Sequence, residues 1–206
     1  MLWGGSDGGL ELRRSGDGST HLRGTFPYNK PAVLTDGGRS GRPRKEVIAP
    51  GAFSYRVDDP KEDIHLLVGH DFGQPLASKS TGTLKFKDTA AALIFEAIIT
   101  PAIANTVHGR DALALIGAGL AVGISPGFRI PPERAVPDAE KVEEEDPSLG
   151  MAIIRTVLAA LLYEFSIVTR PAYPEAQVEA RNWSPSDVQI VDPLRNSAHH
   201  LKRWRI

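Results

Sequence analysis

A period of two between hydrophobic and polar positions is the main structural signal in this chain. Thr83-Leu84-Lys85-Phe86-Lys87 alternates cleanly, as a half-exposed antiparallel strand does. Further strands are expected over residues 20–28 (broken at Pro27), 64–70, 75–80, 91–100, 123–128, 151–158 and 161–169. Helical spacing is clear at one place, residues 104–116, where Val107, Leu113 and Ile116 align and Gly117 and Gly119 end the run. A shorter helix is expected after the turn Ala49-Pro50-Gly51-Ala52-Phe53, ending near Asp58-Asp59-Pro60. Residues 138–146 hold six acids and one lysine and read as a solvated loop. The sum is an α+β domain, mainly antiparallel β-barrel or sheet with few helices.

Composition then sets the boundaries. With 206 residues and 41% hydrophobic positions, one domain flanked by tails is expected. Residues 1–20 contain six glycines and read as a flexible arm holding at most one short strand, at 10–13. The domain is expected over residues 21–181. From residue 182 the chain turns Pro-, Ser- and Asp-rich and ends on Arg195, Lys202, Arg203 and Arg205, a flexible basic tail. A net charge of −1 exerts no overall pull toward nucleic acid. The basic tail has no interleaved aromatics beyond Trp204 and reads as a solvated end. No apolar run approaches the ~20 residues that span a bilayer, so no membrane partner is expected. Cysteine is absent, which removes cysteine nucleophiles and thiolate metal sites.

Chemistry concentrates at Gly123-Ile124-Ser125-Pro126-Gly127-Phe128. On a strand, Ser125 shares a face with Gly123 and Gly127 and so has space around it. The stretch matches G-x-S-x-G, the hydrolase nucleophile elbow, yet that motif needs a helix next and a backbone N–H after the serine. Pro131 and Pro132 block the helix, and Pro126 has no N–H. The elbow is therefore excluded.

A serine nucleophile requires a base. His21, His199 and His200 read as solvated, His108 as a surface residue on the helix, and His65 as a core histidine. His70 ends an apolar strand between Gly69 and Asp71, a position that suits either a structural or a catalytic role. Glu164 interrupts Leu161-Leu162-Tyr163-Glu164-Phe165-Ser166-Ile167-Val168. A lone acid in an apolar run needs a partner: a functional group, or a cation such as Arg129 or Arg155. A metal site built from His65, His70 and Asp71 fits no familiar ligand spacing, so no metal or other cofactor is expected.

An ordered series completes the picture: Glu46-Val47-Ile48-Ala49-Pro50-Gly51-Ala52-Phe53, then Gly69-His70-Asp71 followed by Pro75-Leu76, then Gly109-Arg110-Asp111-Ala112-Leu113. The serine stretch, Glu164-Phe165-Ser166-Ile167-Val168 and Pro171-Ala172-Tyr173-Pro174 follow. In this order, over about residues 22–181, the chain resembles the prohead maturation proteases of tailed phages, serine peptidases with a fold similar to herpesvirus assemblin. The resemblance implies a catalytic pair of His70 and Ser125, with Glu164 as third member. Gly69 and Pro126 depart from the commoner residues of that family at these positions.

The resemblance further implies acyl transfer on scaffold or on the scaffold region of the major capsid protein, together with self-cleavage, inside the assembling prohead in the host cytoplasm. Oxyanion donors are expected near the Thr169-Arg170 backbone, and a homodimer is compatible with the assemblin analogy. The competing expectation is a catalytically inactive scaffold or assembly protein of the same fold.

Overall fold

The computed structural model describes residues 4–5, 10–39, 41–121 and 123–171. The expected tail at 182–206 lies outside the described residues, as do Ala172, Tyr173 and Pro174. In chain order the strands and helices are β1 (Gly4–Gly5), β2 (Leu10–Arg14), β3 (Thr20–Pro27), β4 (Ala32–Thr35) and β5 (Arg44–Ile48), then α1 (Ser54–Asp58). Next come β6 (His65–Val68), β7 (Asp71–Ser78), β8 (Leu84–Asp88), β9 (Ala92–Ile99), α2 (Pro101–Ala104) and α3 (Val107–Gly117). The described part closes with β10 (Gly123–Arg129), β11 (Glu140–Glu144), β12 (Ile153–Val157) and β13 (Leu161–Val168).

The strands form three sheets ordered β1-β2-β3-β9-β8, β10-β13-β6-β7 and β11-β12-β5-β4. Most pairs are antiparallel, with β13–β6 and β12–β5 parallel. This is the expected α+β architecture, built as open mixed sheets rather than a closed barrel. The strand anticipated at 10–13 is β2, paired with β3 through Leu10↔Gly24 to Arg14↔Thr20, and its Leu10 is buried. That stretch belongs to the sheet because its two large apolar side chains, Leu10 and Leu12, have a core to pack on.

Phe165 of β13 ties two of the sheets together. Its ring lies 5.6 Å from Phe95 and 5.9 Å from Phe26, both on the five-stranded sheet, and 6.5 Å from Phe53 before α1. All four rings are essentially inaccessible. Burying one such side chain contributes about 1.5–3 kcal/mol relative to leaving it exposed. Leu66, Ile124 and Ile167 join this core. The period of two therefore sends Glu164 and Ser166 to the opposite face of β13.

Two local expectations change. The acidic run 138–146 contains β11, held to β12 through Glu140↔Val157 to Glu144↔Ile153. Its charges are accommodated by pairing: Arg42 with Glu144 at 2.8 Å, Lys45 with Glu145, and Arg155 with Glu140 at 3.5 Å. The helix expected at 104–116 is α3, which starts later, at Val107, because Thr106 caps it by accepting the Gly109 N–H at 3.1 Å; Ala104 ends the separate α2.

Candidate active site

The site begins at the two-residue turn joining β6 to β7. Gly69 and His70 have φ of 61° and 63°, and positive φ at both centres marks the I′ turn that suits a tight hairpin. Gly69 meets this requirement without strain. His70 carries a side chain into the left-handed region, where non-glycine residues are uncommon, so something outside the turn must hold it.

That support comes from β13. The His70 backbone N–H donates to Ser166 Oγ at 2.8 Å, and the ring Nδ1 lies 2.7 Å from Glu164 Oε1. Ser166 in turn donates its hydroxyl to Glu164 Oε2 at 2.7 Å. Both carboxylate oxygens are thus engaged. The Glu164 side chain is 4% exposed and that of His70 is 47% exposed. An ionised carboxylate can only accept, so the contact places a proton on Nδ1; in a neutral imidazole the lone pair then belongs to Nε2.

Ser125 sits on β10, which pairs antiparallel with β13 through Ser125↔Ser166 and Gly127↔Glu164. Directly opposed residues keep their Cβ atoms roughly 5 Å apart on one face. Ser125 therefore faces the same side as the residues that hold His70. Among the described residues no hydrogen bond joins Ser125 Oγ to the imidazole. β10 is a sheet edge, which explains how Pro126 is tolerated: a strand edge needs no N–H from it. A Cβ at Gly127 would overlap Glu164 Oε1, so the glycine two residues beyond Ser125 leaves space for the acid. The register shifts between Gly127 and Phe128, whose partner is Leu162, so Tyr163 is an extra residue on β13. This bulge falls beside Glu164, a placement bulges often take near functional groups.

A family model described as caudovirus prohead serine protease matches residues 28–189. The chain belongs to that family. Membership implies serine peptidase activity in the capsid maturation of a tailed phage, acting in the assembling capsid in the host cytoplasm. No curated protein and no solved structure matches the chain. Among the described residues no helix is long and apolar enough to cross a membrane.

The matched range of the prohead protease family contains His70, Ser125 and Glu164. The other candidates are spent elsewhere. His65 lies 3.5 Å from Asp63 and edge-on to Phe72, beside a groove of about 440 Å³. Asp71 accepts the Gly73 N–H at 2.7 Å and the Gln74 amide at 2.8 Å, which holds its carboxyl below the usual range and fixes the irregular start of β7. The His65, His70 and Asp71 donors thus point to separate partners. His108 Nε2 lies 3.1 Å from the Pro75 carbonyl, and His21 lies near Ser19 at 3.5 Å. His199 and His200 lie outside the described residues. Arg155 pairs with Glu46 and Glu140, and Arg129 lies over the Tyr163 ring at 5.8 Å. Ser166 carries no expectation from the sequence. The signal for it is its place two residues after Glu164, on the same strand face.

Proposed function

We propose that this protein is an endopeptidase that cleaves scaffold, or the scaffold region of the major capsid protein, by acyl transfer through Ser125, His70 and Glu164. The observation that carries the reading is the buried Glu164 carboxylate hydrogen-bonded to His70 Nδ1, with Ser125 directly opposite Ser166, which holds the same histidine. In the first step Ser125 Oγ bonds to the scissile carbonyl carbon while its proton moves to His70 Nε2. That proton then passes to the amine as the C–N bond breaks. Water hydrolyses the ester by the same proton route. Glu164 keeps the imidazole in one tautomer and steadies its cation.

Positioned proton transfer of this kind supplies about 10²–10⁴ in rate. An oxyanion donor supplies a comparable factor. Pro126 has no N–H to donate; by analogy with assemblin-like enzymes, the donors are assigned to the Thr169-Arg170 backbone just beyond β13. Self-cleavage is assigned to the chain after about residue 182, where the composition changes.

Co-expression with the phage's major capsid protein tests the reading. The capsid protein should be shortened by wild type and left intact by Ser125→Ala, whose rate is expected to fall by about 10⁴-fold or more. A capsid protein of the same length in both would favour an inactive assembly protein. Intact masses of the two proteases decide self-cleavage separately: equal masses would remove it.

A further inference from the structure

We propose that Ser166 is a positioning residue that holds His70 and Glu164 in their working geometry through one hydroxyl. The assignment rests on the Ser125–His70–Glu164 reading. Two serines face each other across β10 and β13, and hydrogen bonding gives them different roles. Ser166 is wholly buried, its O–H donates to Glu164 Oε2, and its lone pair accepts the His70 N–H. A backbone N–H can only donate and a carboxylate can only accept, so the direction of this hydroxyl is fixed. Ser166 is wholly buried beneath its two partners, out of reach of a substrate carbonyl. Ser125 Oγ makes no hydrogen bond among the described residues and is the hydroxyl left for chemistry.

The same hydroxyl answers the strain at the turn. His70 holds a φ of 63°, and its N–H would be left without a protein acceptor if Oγ were removed. The carboxylate would lose the donor that fixes Oε2 and become free to rotate away from Nδ1. The ring would then lose both its anchors together, although neither Ser125 nor any substrate contact had been touched. Hydrogen bonds to charged groups are the stronger ones. Losing this one should slow acylation roughly 10- to 100-fold.

The test uses the full chain and two readouts. The first is the rate at which diisopropyl fluorophosphate modifies Ser125 in wild type, Ser166→Ala and Ser166→Thr. Ser166→Ala should slow labelling roughly 10- to 100-fold, and Ser166→Thr, which keeps the Oγ, should regain most of the loss. The second is the ¹⁵N signal of the His70 ring in a Ser125→Ala background, with and without Ser166→Ala. The ring signals should move when Ser166 is truncated. Wild-type labelling rates in Ser166→Ala, or ring signals that stay in place, would overturn the assignment. Failure of the protease reading looks different: wild type itself would show no adduct on Ser125, while the ring signals would still report on Ser166.

Discussion

Among the described residues two glutamates are buried, each in a mixed sheet beside a parallel strand pair, and they differ in what they hold. Glu46 on β5 lies opposite Arg155 of β12 and pairs with its guanidinium, which also reaches Glu140 at 3.5 Å. Glu164 on β13 bonds instead to an imidazole and a hydroxyl. Burial is the same for both side chains, 4% exposed. The partner differs. A guanidinium is a cation at every pH the fold survives, so Arg155 cannot act as a proton carrier for Glu46. An imidazole can take and return a proton, and its ring is half open to solvent. A buried acid therefore reads as functional through what it holds.

Replacing each acid by its amide gives the sharpest contrast. Glu164→Gln should lower the rate by about 10²–10⁴ with the fold retained, because the amide can present its NH₂ to Nδ1 and favour the wrong tautomer. Glu46→Gln should leave the rate near wild type and lower stability by about 1–3 kcal/mol, less than a fully buried pair because Arg155 is 40% exposed. Peptide cleavage rates and denaturant melts of both variants check this. Equal rate losses would erase the distinction.

A smaller effect is expected at Gly127. An alanine there places a Cβ on Glu164 Oε1, so the acid must move or the strands must part. Gly127→Ala should lower the labelling rate by about 10- to 100-fold and stability by about 1–3 kcal/mol. An unchanged rate would show that the Glu164 position is less constrained than the contact implies.

The smallest effect concerns a third buried polar contact, Tyr28 to Asp88 at 2.9 Å. Burial, with Asp88 as acceptor, pushes the Tyr28 phenol well above its ordinary range. The folded state keeps a proton that the unfolded state releases near pH ~10. This contribution is therefore complete below about pH 10 and is lost as pH rises beyond it. Denaturant midpoints at about pH 9 and about pH 11 should fall in wild type and fall less in Tyr28→Phe. Equal slopes would remove the contribution. Like the Glu46 pair, it should bear on stability and leave chemistry alone.

How much of this was legible in the sequence varies with the physics involved. Residues 83–87 announced a strand through alternation, because a half-buried strand places its apolar residues every second position, and 161–168 did so as a short apolar run. The acidic strand β11 was hidden. All five of its side chains are exposed, so no apolar face marks it, and its pairing with β12 is visible only in three dimensions. His70, Ser125 and Glu164 could each be singled out by a local oddity: a histidine ending an apolar strand, a serine between glycines, an acid in an apolar run. Register places Gly127 opposite Glu164 and Ser125 opposite Ser166, and no spacing along the chain encodes that pairing. Spacing put Ser166 on the face of Glu164 but gave it no role. A serine in a strand is ordinary until its two partners arrive from a distant turn and its own strand.

The most direct test of the central claim is the mass of the covalent adduct formed with a serine-directed fluorophosphonate on four proteins: wild type, His70→Ala, Glu164→Gln and Glu46→Gln. A single adduct on Ser125 is expected in wild type and Glu46→Gln at similar rates, with formation slowed by about 10²-fold or more in the other two. No adduct on wild-type Ser125, or labelling that ignores His70 and Glu164, would contradict the account.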